Sequence, residues 1–150
     1  MGNEDIKKAL SEMLSEDNFD ESGEWLSIAI DGSLWRVVAT ILKSELLGFD
    51  YLFCVTCIDW KSHLTMVYHL SGTSHRHSIV VKANLDRDNP IIDTVCDMWR
   101  TAEMQEREVF ELFGVQFTNH PDLRRLILTD DFVGFPLRKD FEDPINMIKL

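Results

Sequence analysis

Residues Tyr51–Leu85 read YLFCVTCIDWKSHLTMVYHLSGTSHRHSIVVKANL, and this stretch decides the fold class. It holds three runs rich in Val, Ile, Tyr, Phe and Thr, at Tyr51–Trp60, Leu64–Leu70 and His77–Leu85, parted by short polar turns. Parallel neighbours need a long crossover, so links this short favour antiparallel pairing. The expected class is α+β, an antiparallel or mixed β-sheet packed against helices.

On the N-terminal side, a short helix is expected over Asp5–Leu14 and a first strand over Trp25–Ile30. Ser33 is placed to cap a helix over Leu34–Leu47, with Gly48 as its stop. Its apolar stripe would be Leu34, Val37, Val38, Ile41, Leu42 and Leu46. On the C-terminal side, Asn89-Pro90 suggests a helix start, read through Ile91, Ile92, Val95 and Trp99. A second helix, Ala102–Phe113, should stop at Gly114. From Val115 to Leu150 the periodicity is lost, and that stretch holds three of the four prolines. The expected organisation is one domain, 1–150, with an acidic N-terminal flank over 1–22 and an extended irregular C-terminal tail over 115–150.

Charge narrows the function classes. The 150 residues carry 15 Lys and Arg against 26 Asp and Glu, a net charge of −11. That excess argues against nucleic acid or an anionic lipid surface as a default partner. The acids concentrate in residues 1–31, where Glu12, Glu16, Asp17, Asp20, Glu21 and Glu24 read as a solvated flank. No uncharged apolar run approaches the roughly 18 residues of a membrane span. The start MGNEDIKKAL lacks the pattern of a signal peptide, and three cysteines make no full disulfide framework. A reducing cytosol is the simplest compartment.

Several residue groups invite chemistry. Cys54-Val-Thr-Cys57 has redox or metal-site spacing, but it lies in an expected strand, where residues three apart face opposite ways. Core cysteines are the simpler expectation. His75 and His77 would share a strand face, with no third ligand fixed by spacing, and with His63 and His69 they read as turn or surface residues. No glycine-rich phosphate loop, G-x-S-x-G or H-E-x-x-H occurs.

Glu106-Arg107-Glu108 and Glu111 form the strongest local signal. Glu103 and Arg107, and Arg107 and Glu111, stand four apart on the expected helix. Two readings stay open: a solvated charged face, or buried carboxylates paired with later arginines. Arg124-Arg125 and Arg138-Lys139 could supply such partners, with Pro121 and Pro136 restricting the backbone beside them.

The stretch Glu106–Phe141, EREVFELFGVQFTNHPDLRRLILTDDFVGFPLRKDF, closely resembles the signature of one family of respiratory complex I (NADH:quinone oxidoreductase) polypeptides, the C or thirty-kilodalton subunit. The residues that carry the resemblance are Glu106-Arg107-Glu108, Glu111, Leu112-Phe113-Gly114, His120-Pro121-Asp122-Leu123-Arg124-Arg125 and Pro136-Leu137-Arg138-Lys139-Asp140. Weaker similarity extends to Cys57-Ile58-Asp59-Trp60, Trp99 and Ala102. Departures are Glu111 where Asp is commoner, Met104-Gln105 in place of a more aromatic pair, and Glu142 where Pro is frequent. Ending soon after its signature, the chain resembles a short member of the family.

The resemblance implies a core scaffold subunit of the peripheral arm of a proton-pumping complex, on the cytoplasmic face of the inner membrane. Its partners would be other complex I subunits, chiefly the quinone-site (D) subunit, with no nucleic acid and only indirect membrane contact. It implies no cofactor in this chain, since NADH, FMN, iron–sulfur clusters and quinone are used by other subunits. No residue is expected to be catalytic or to bind a metal. Glu106, Arg107, Glu108, Glu111, His120, Asp122, Arg124, Arg125, Arg138, Lys139 and Asp140 are expected to form a partner interface or structural charge network. The alternatives are the equivalent subunit of a membrane-bound energy-converting hydrogenase or ferredoxin:plastoquinone oxidoreductase, and a stand-alone thiol-redox enzyme using Cys54 and Cys57.

Overall fold

The computed structural model describes residues 2–143 and 145; Met1 of the expected flank and residues 144 and 146–150 of the expected tail lie outside the described residues. Five strands form one mixed sheet: β1 (Phe19–Asp20), β2 (Leu26–Asp31), β3 (Tyr51–Asp59), β4 (Leu64–Gly72) and β5 (His77–Leu85), in the order β1-β2-β5-β4-β3. The short turns make β3–β4 and β4–β5 antiparallel, as expected. β2 lies parallel to β5, because the long link from β2 to β3 carries the helix α2 (Trp35–Lys43). The fold class is therefore α+β.

Alternation along the strands builds the core. Leu64, Met66, Tyr68 and Leu70 of β4 stand opposite Leu85, Ala83, Val81 and Ile79 of β5, and all are buried. In β3 a bulge between Leu52 and Cys54 shifts the register, so Leu52 and Val55 both face the core although three apart. Without that extra residue, Leu52 and Val55 would point to opposite faces. Trp35 of α2 stacks on Tyr68 at 4.1 Å between ring centroids, and Val38, Ala39 and Leu42 complete the buried face of the helix. Full burial of one such aliphatic side chain contributes roughly 1.5–3 kcal/mol.

Three helix expectations are corrected. Ser33 does not cap α2. Asp31 caps a single 3₁₀ turn, accepting from the Ser33 amide at 3.0 Å and its hydroxyl at 2.5 Å. α2 ends at Lys43 rather than Leu47, because Ser44 turns extended and its hydroxyl donates to the Ile41 carbonyl at 2.6 Å. The buried stripe is displaced accordingly, and Val37 and Leu46 are exposed. The N-terminal helix, α1, spans Asn3–Ala9. Ile6, Leu10 and Leu14 are buried in the main core, while the acids Glu12, Glu16, Asp17, Asp20, Glu21 and Glu24 are exposed.

The third correction is larger. Residues Ile91–Asp93 form a strand, β6, and not the start of a helix. β6 pairs in parallel with β7 (Gln116–Thr118), so the first residues after Gly114 are also ordered as strand. The Pro90 carbonyl accepts from the Gln116 amide, and the Thr94 amide donates to the Thr118 carbonyl. These backbone groups are thus spent on a second chain segment before any helical turn can use them. Only one turn follows, closed by Met98 and Trp99 amides on the Val95 carbonyl. The helix α3 then spans Ala102–Phe113, with Gly114 as its left-handed cap at φ 83°, as expected.

α3 seals one edge of the sheet. Thr101 donates to the Leu52 carbonyl at 2.6 Å, and the Gln105 side-chain carbonyl accepts from the Val55 amide at 2.7 Å. Both backbone groups belong to the free side of the edge strand β3.

Candidate functional site

α3 turns three faces to three tasks. Ala102, Glu106, Val109 and Phe113 share the buried stripe, Arg107 and Glu111 form a second buried row, and Met104 and Glu108 face solvent. The open choice between a solvated face and buried carboxylates is thus decided residue by residue: Glu106 and Glu111 are buried, Glu108 is not.

Glu111 does not take the later arginine side chains expected as partners of the carboxylates; it and Arg107 hold backbone instead. Arg107 Nε donates to the Arg124 carbonyl at 2.9 Å and its Nη2 to the Arg125 carbonyl at 3.0 Å. One turn further on, the Glu111 carboxylate accepts the amides of Leu126, Ile127 and Leu128 at 2.9–3.1 Å. Two consecutive carbonyls and three consecutive amides are held by two side chains. Five backbone groups of the segment 124–128 are thus satisfied without belonging to any strand or helix. Burial pushes the Glu111 carboxyl up, but the three amides together outweigh it and hold its pKa below the ordinary value. Because only backbone is gripped, the side chains point away: Ile127 is 68% exposed.

A second clamp lies at the end of β3. The buried Asp59 carboxylate accepts both Arg87 Nε and Nη2 at 2.9 Å, the Lys61 amide at 2.8 Å and the Lys139 amide at 2.9 Å. Arg87 hydrogen bonding, reinforced by the two amides, pulls the Asp59 pKa well down despite burial. Arg87 also reaches Asp140 at 3.0 Å. Beside it, Arg138 Nε donates to the Phe113 carbonyl at 2.7 Å and the Leu137 amide to the Leu112 carbonyl at 3.1 Å. Phe135 lies on Gly114, where an added Cβ would stand 2.7 Å from the ring. Val133 at 87% and Leu137 at 53% remain exposed.

Glu106 serves a third junction. It accepts a short hydrogen bond from the Thr94 hydroxyl and the Val95 amide at 3.3 Å, and so fixes the turn after β6. Arg36 of α2 holds the same turn through the Thr94 carbonyl and a two-pronged pair with Asp97. Burial pushes the Glu106 carboxyl up to about 7, against the opposing Thr94 and Val95 hydrogen bonds.

His120 faces this carboxylate, its Nε2 4.0 Å from Glu106 Oε1, and the Cys96 thiol stands close enough that the three groups lie within 4.8 Å of one another. Of the three, only Cys96 lines the adjoining groove of about 690 Å³, with Arg36, Thr94 and Asp97, while the His120 and Glu106 side chains are buried behind it. This is the one Cys–His–carboxylate grouping among the described residues that could be considered for a metal. Its hydrogen bonding opposes that role. The Asp122 amide donates to His120 Nδ1 at 3.0 Å, so the ring proton sits on Nε2, directed at the Glu103 carbonyl 3.1 Å away. A metal would need the Nε2 lone pair and a proton on Nδ1, facing another donor.

The remaining expected residues are more peripheral. Asp122 pairs with Arg124 at 2.8 Å and lies 3.8 Å from Arg107. The Arg125 side chain turns back to the Thr129 carbonyl. Arg124, Lys139 and Asp140 are exposed. Cys54 and Cys57 stand on opposite faces of β3, opposite His69 and Met66 respectively, and burial pushes the Cys57 thiol up to about 12. Of the histidines, only His75 is exposed in a turn; His63, His69 and His77 are half-buried.

Sequence reasoning missed Asp59, Arg87 and Thr94 as members of the network. Asp59 had a usable signal: it continues the buried alternation of Val55 and Cys57, where an apolar residue is normal.

Comparison with known proteins agrees with this architecture. Residues 28–145 match the family described as respiratory-chain NADH dehydrogenase, 30 Kd subunit. The chain is 44% identical over 103 residues to the C/D subunit of NADH-quinone oxidoreductase from Phocaeicola vulgatus, covering 67% of this chain and 20% of that one. It is 40% identical over 116 residues to the C subunit of F(420)H(2) dehydrogenase from Methanosarcina mazei, covering 75% and 73%. Against C subunits of NADH-quinone oxidoreductase that are separate chains, identity runs from 36% to 47%, and the chain spans 46% to 65% of their length. A chain in the structure of the membrane-bound sulfane sulfur reductase, an archaeal respiratory membrane complex, superposes with a TM-score of 0.75 at 26% identity, covering 94% and 85%. The chain belongs to the family of the respiratory-chain NADH dehydrogenase 30 Kd subunit.

Proposed function

We propose that this chain is a non-catalytic scaffold subunit of the peripheral arm of a proton-pumping NADH:quinone oxidoreductase of complex I type. It supports electron transfer by docking the quinone-site (D) subunit, and it holds no cofactor of its own. The observation that carries this reading is the main-chain clamp. Arg107 and Glu111 grip the backbone of 124–128 while Leu126 and Ile127 stay exposed, which fixes a segment in shape and frees its side chains for a partner. Val133 and Leu137, beside the second clamp, are exposed as well. The relative named as a joined C/D polypeptide supports the quinone-site subunit as the neighbour.

No helix among the described residues is long and apolar enough to cross a membrane, which fits attachment through the complex at the cytoplasmic face of the inner membrane. The likeness to an F(420)H(2) dehydrogenase subunit favours, as a second reading, the same scaffold role in a complex fed by another donor. The thiol-enzyme alternative is disfavoured, since Cys54 and Cys57 face opposite ways.

The test is affinity capture of the tagged chain from solubilised membranes, with mass spectrometry of what co-purifies. The expected result is a quinone-site subunit with other peripheral-arm subunits, lost when Ile127 and Leu137 are both changed to Asp. Recovery of the chain alone, or undiminished capture by the double variant, would contradict the docking role.

A further inference from the structure

The tail accounts for one surface of the molecule, and a second remains. The sheet buries one face beneath α1 and α2, while the other carries the register row Cys54, His69, Val80, Ser27 and Asp20 across all five strands. On this open face the Trp25 ring meets Phe53 at 6.1 Å and His69 at 6.0 Å, and Tyr51 stacks on Phe53 at 5.8 Å. Trp25 is 36% exposed and Tyr51 50%. A contiguous group of half-exposed aromatics is unusual on a free surface and is the composition of interface anchors.

The charge around this group is specific. A shallow groove of about 330 Å³ runs beside Trp25, bordered by Asp20, Glu24 and the cation Lys82. Hydrogen bonding to Ser22 pulls the Asp20 pKa down, so its carboxylate stays ionised near neutrality. Asp17 and Glu21 in the same segment are exposed too, Glu21 being paired with Lys7 at 3.1 Å. A second copy of this chain would bring another net charge of −11 against this rim, and nucleic acid or anionic lipid would meet the same repulsion.

We propose that the open face of the sheet, centred on Trp25, Tyr51 and Phe53 and rimmed by Asp20 and Glu24, docks a basic segment of a partner subunit that inserts an aromatic or aliphatic anchor among the rings. This rests on the scaffold reading and adds to it a second surface, with the chemistry of what it takes. The anchor supplies burial, and the flanking Lys or Arg residues set its register against the acids and stack on the exposed rings.

The experiment places a photocrosslinking amino acid at Tyr51 and, separately, at Leu137 of the tail, in cells assembling the whole complex. Adducts from illuminated membranes are identified by mass spectrometry. The expected result is a Tyr51 adduct with a partner-subunit peptide rich in Lys or Arg beside an apolar anchor. Its yield should fall at least about threefold in the Asp20→Asn, Glu24→Lys double variant and again at high salt. Both acids are exposed, and Asn keeps the turn acceptor at position 20. No Tyr51 adduct while Leu137 crosslinks would overturn the proposal and leave the scaffold reading standing. So would a Tyr51 adduct with lipid, with a second copy, or with an acidic peptide. Failure at both positions would overturn both.

Discussion

The sheet and the C-terminal segment are held by opposite means. In β3–β5 the backbone pairs with itself and the side chains supply the burial: Tyr68 lies opposite Val81, and Met66 opposite Ala83. In residues 124–140 the side chains of the body pair with the backbone of the segment, and much of the segment's own apolar surface faces out. A ladder can be extended or slipped by neighbouring strands. A main-chain clamp made by Arg107, Glu111 and Asp59 holds one path only, and it leaves gripped residues such as Ile127 and Lys139 with exposed side chains. The cost is that a few buried charged groups carry much of the arrangement.

That difference can be broken at its strongest point first. Glu111→Ala removes one carboxylate from three amides and should destabilise the segment by on the order of 3 kcal/mol, since hydrogen bonds to charged groups contribute about 1.5–3 kcal/mol each and the freed amides regain water. Limited proteolysis should then cut within 124–140, while circular dichroism of the sheet is unchanged. Gly114→Ala combines left-handed backbone with a collision against Phe135, and about 2 kcal/mol of stability should be lost in urea unfolding. Arg107→Lys keeps the charge but loses the fork that reaches two carbonyls, with an expected loss of about 1–2 kcal/mol by the same assay.

Glu106 sharpens the comparison through pH. Its pKa rises from 4.5 to about 7 on folding, so between these values the folded chain holds a proton that the unfolded chain has released. Stability should therefore decline as pH rises across that window, by on the order of 3 kcal/mol in all. Asp59 has the opposite sign: its pKa is lowered, so its contribution is present above the unfolded value of 3.8 and is lost as pH falls below it. His69 and His77, whose pKa values burial lowers, act in the opposite sense over part of this range, so the test is the difference: from pH 4.5 to 7 the thermal stability of wild type should fall relative to that of Glu106→Gln. The smallest effect is expected for Glu108→Ala. This residue is exposed, so stability should change by less than about 0.5 kcal/mol, and any loss of complex assembly on a native gel would come from a missing partner contact.

The two regions also differ in how much their sequence discloses. β5 runs from His77 to Leu85 as its alternation indicates, and α3 from Ala102 to the cap at Gly114, because those elements write their burial into residue type. Ile91, Ile92, Val95 and Trp99 fit a helical stripe equally well. What decides for a strand is β7, a three-residue partner with almost no pattern of its own. The charged residues of the site are conspicuous, but their partners are not. Every residue offers a carbonyl and nearly every one an amide, so nothing in Leu126-Ile127-Leu128 marks it as the ligand of Glu111. The downstream arginines are the natural candidates because they are visible as side chains. The resemblance points to these charged residues, and the geometry adds which backbone groups Arg107 and Glu111 hold.

The most direct measurement is hydrogen–deuterium exchange of the Leu126, Ile127 and Leu128 amides in the whole chain, wild type against Glu111→Ala. The clamp requires protected amides in wild type and exchange at least about tenfold faster in the variant, with β3–β5 amides unchanged. Equal exchange in the two proteins, or a parallel loss of protection throughout the sheet, would contradict a segment held independently by the side chains of α3.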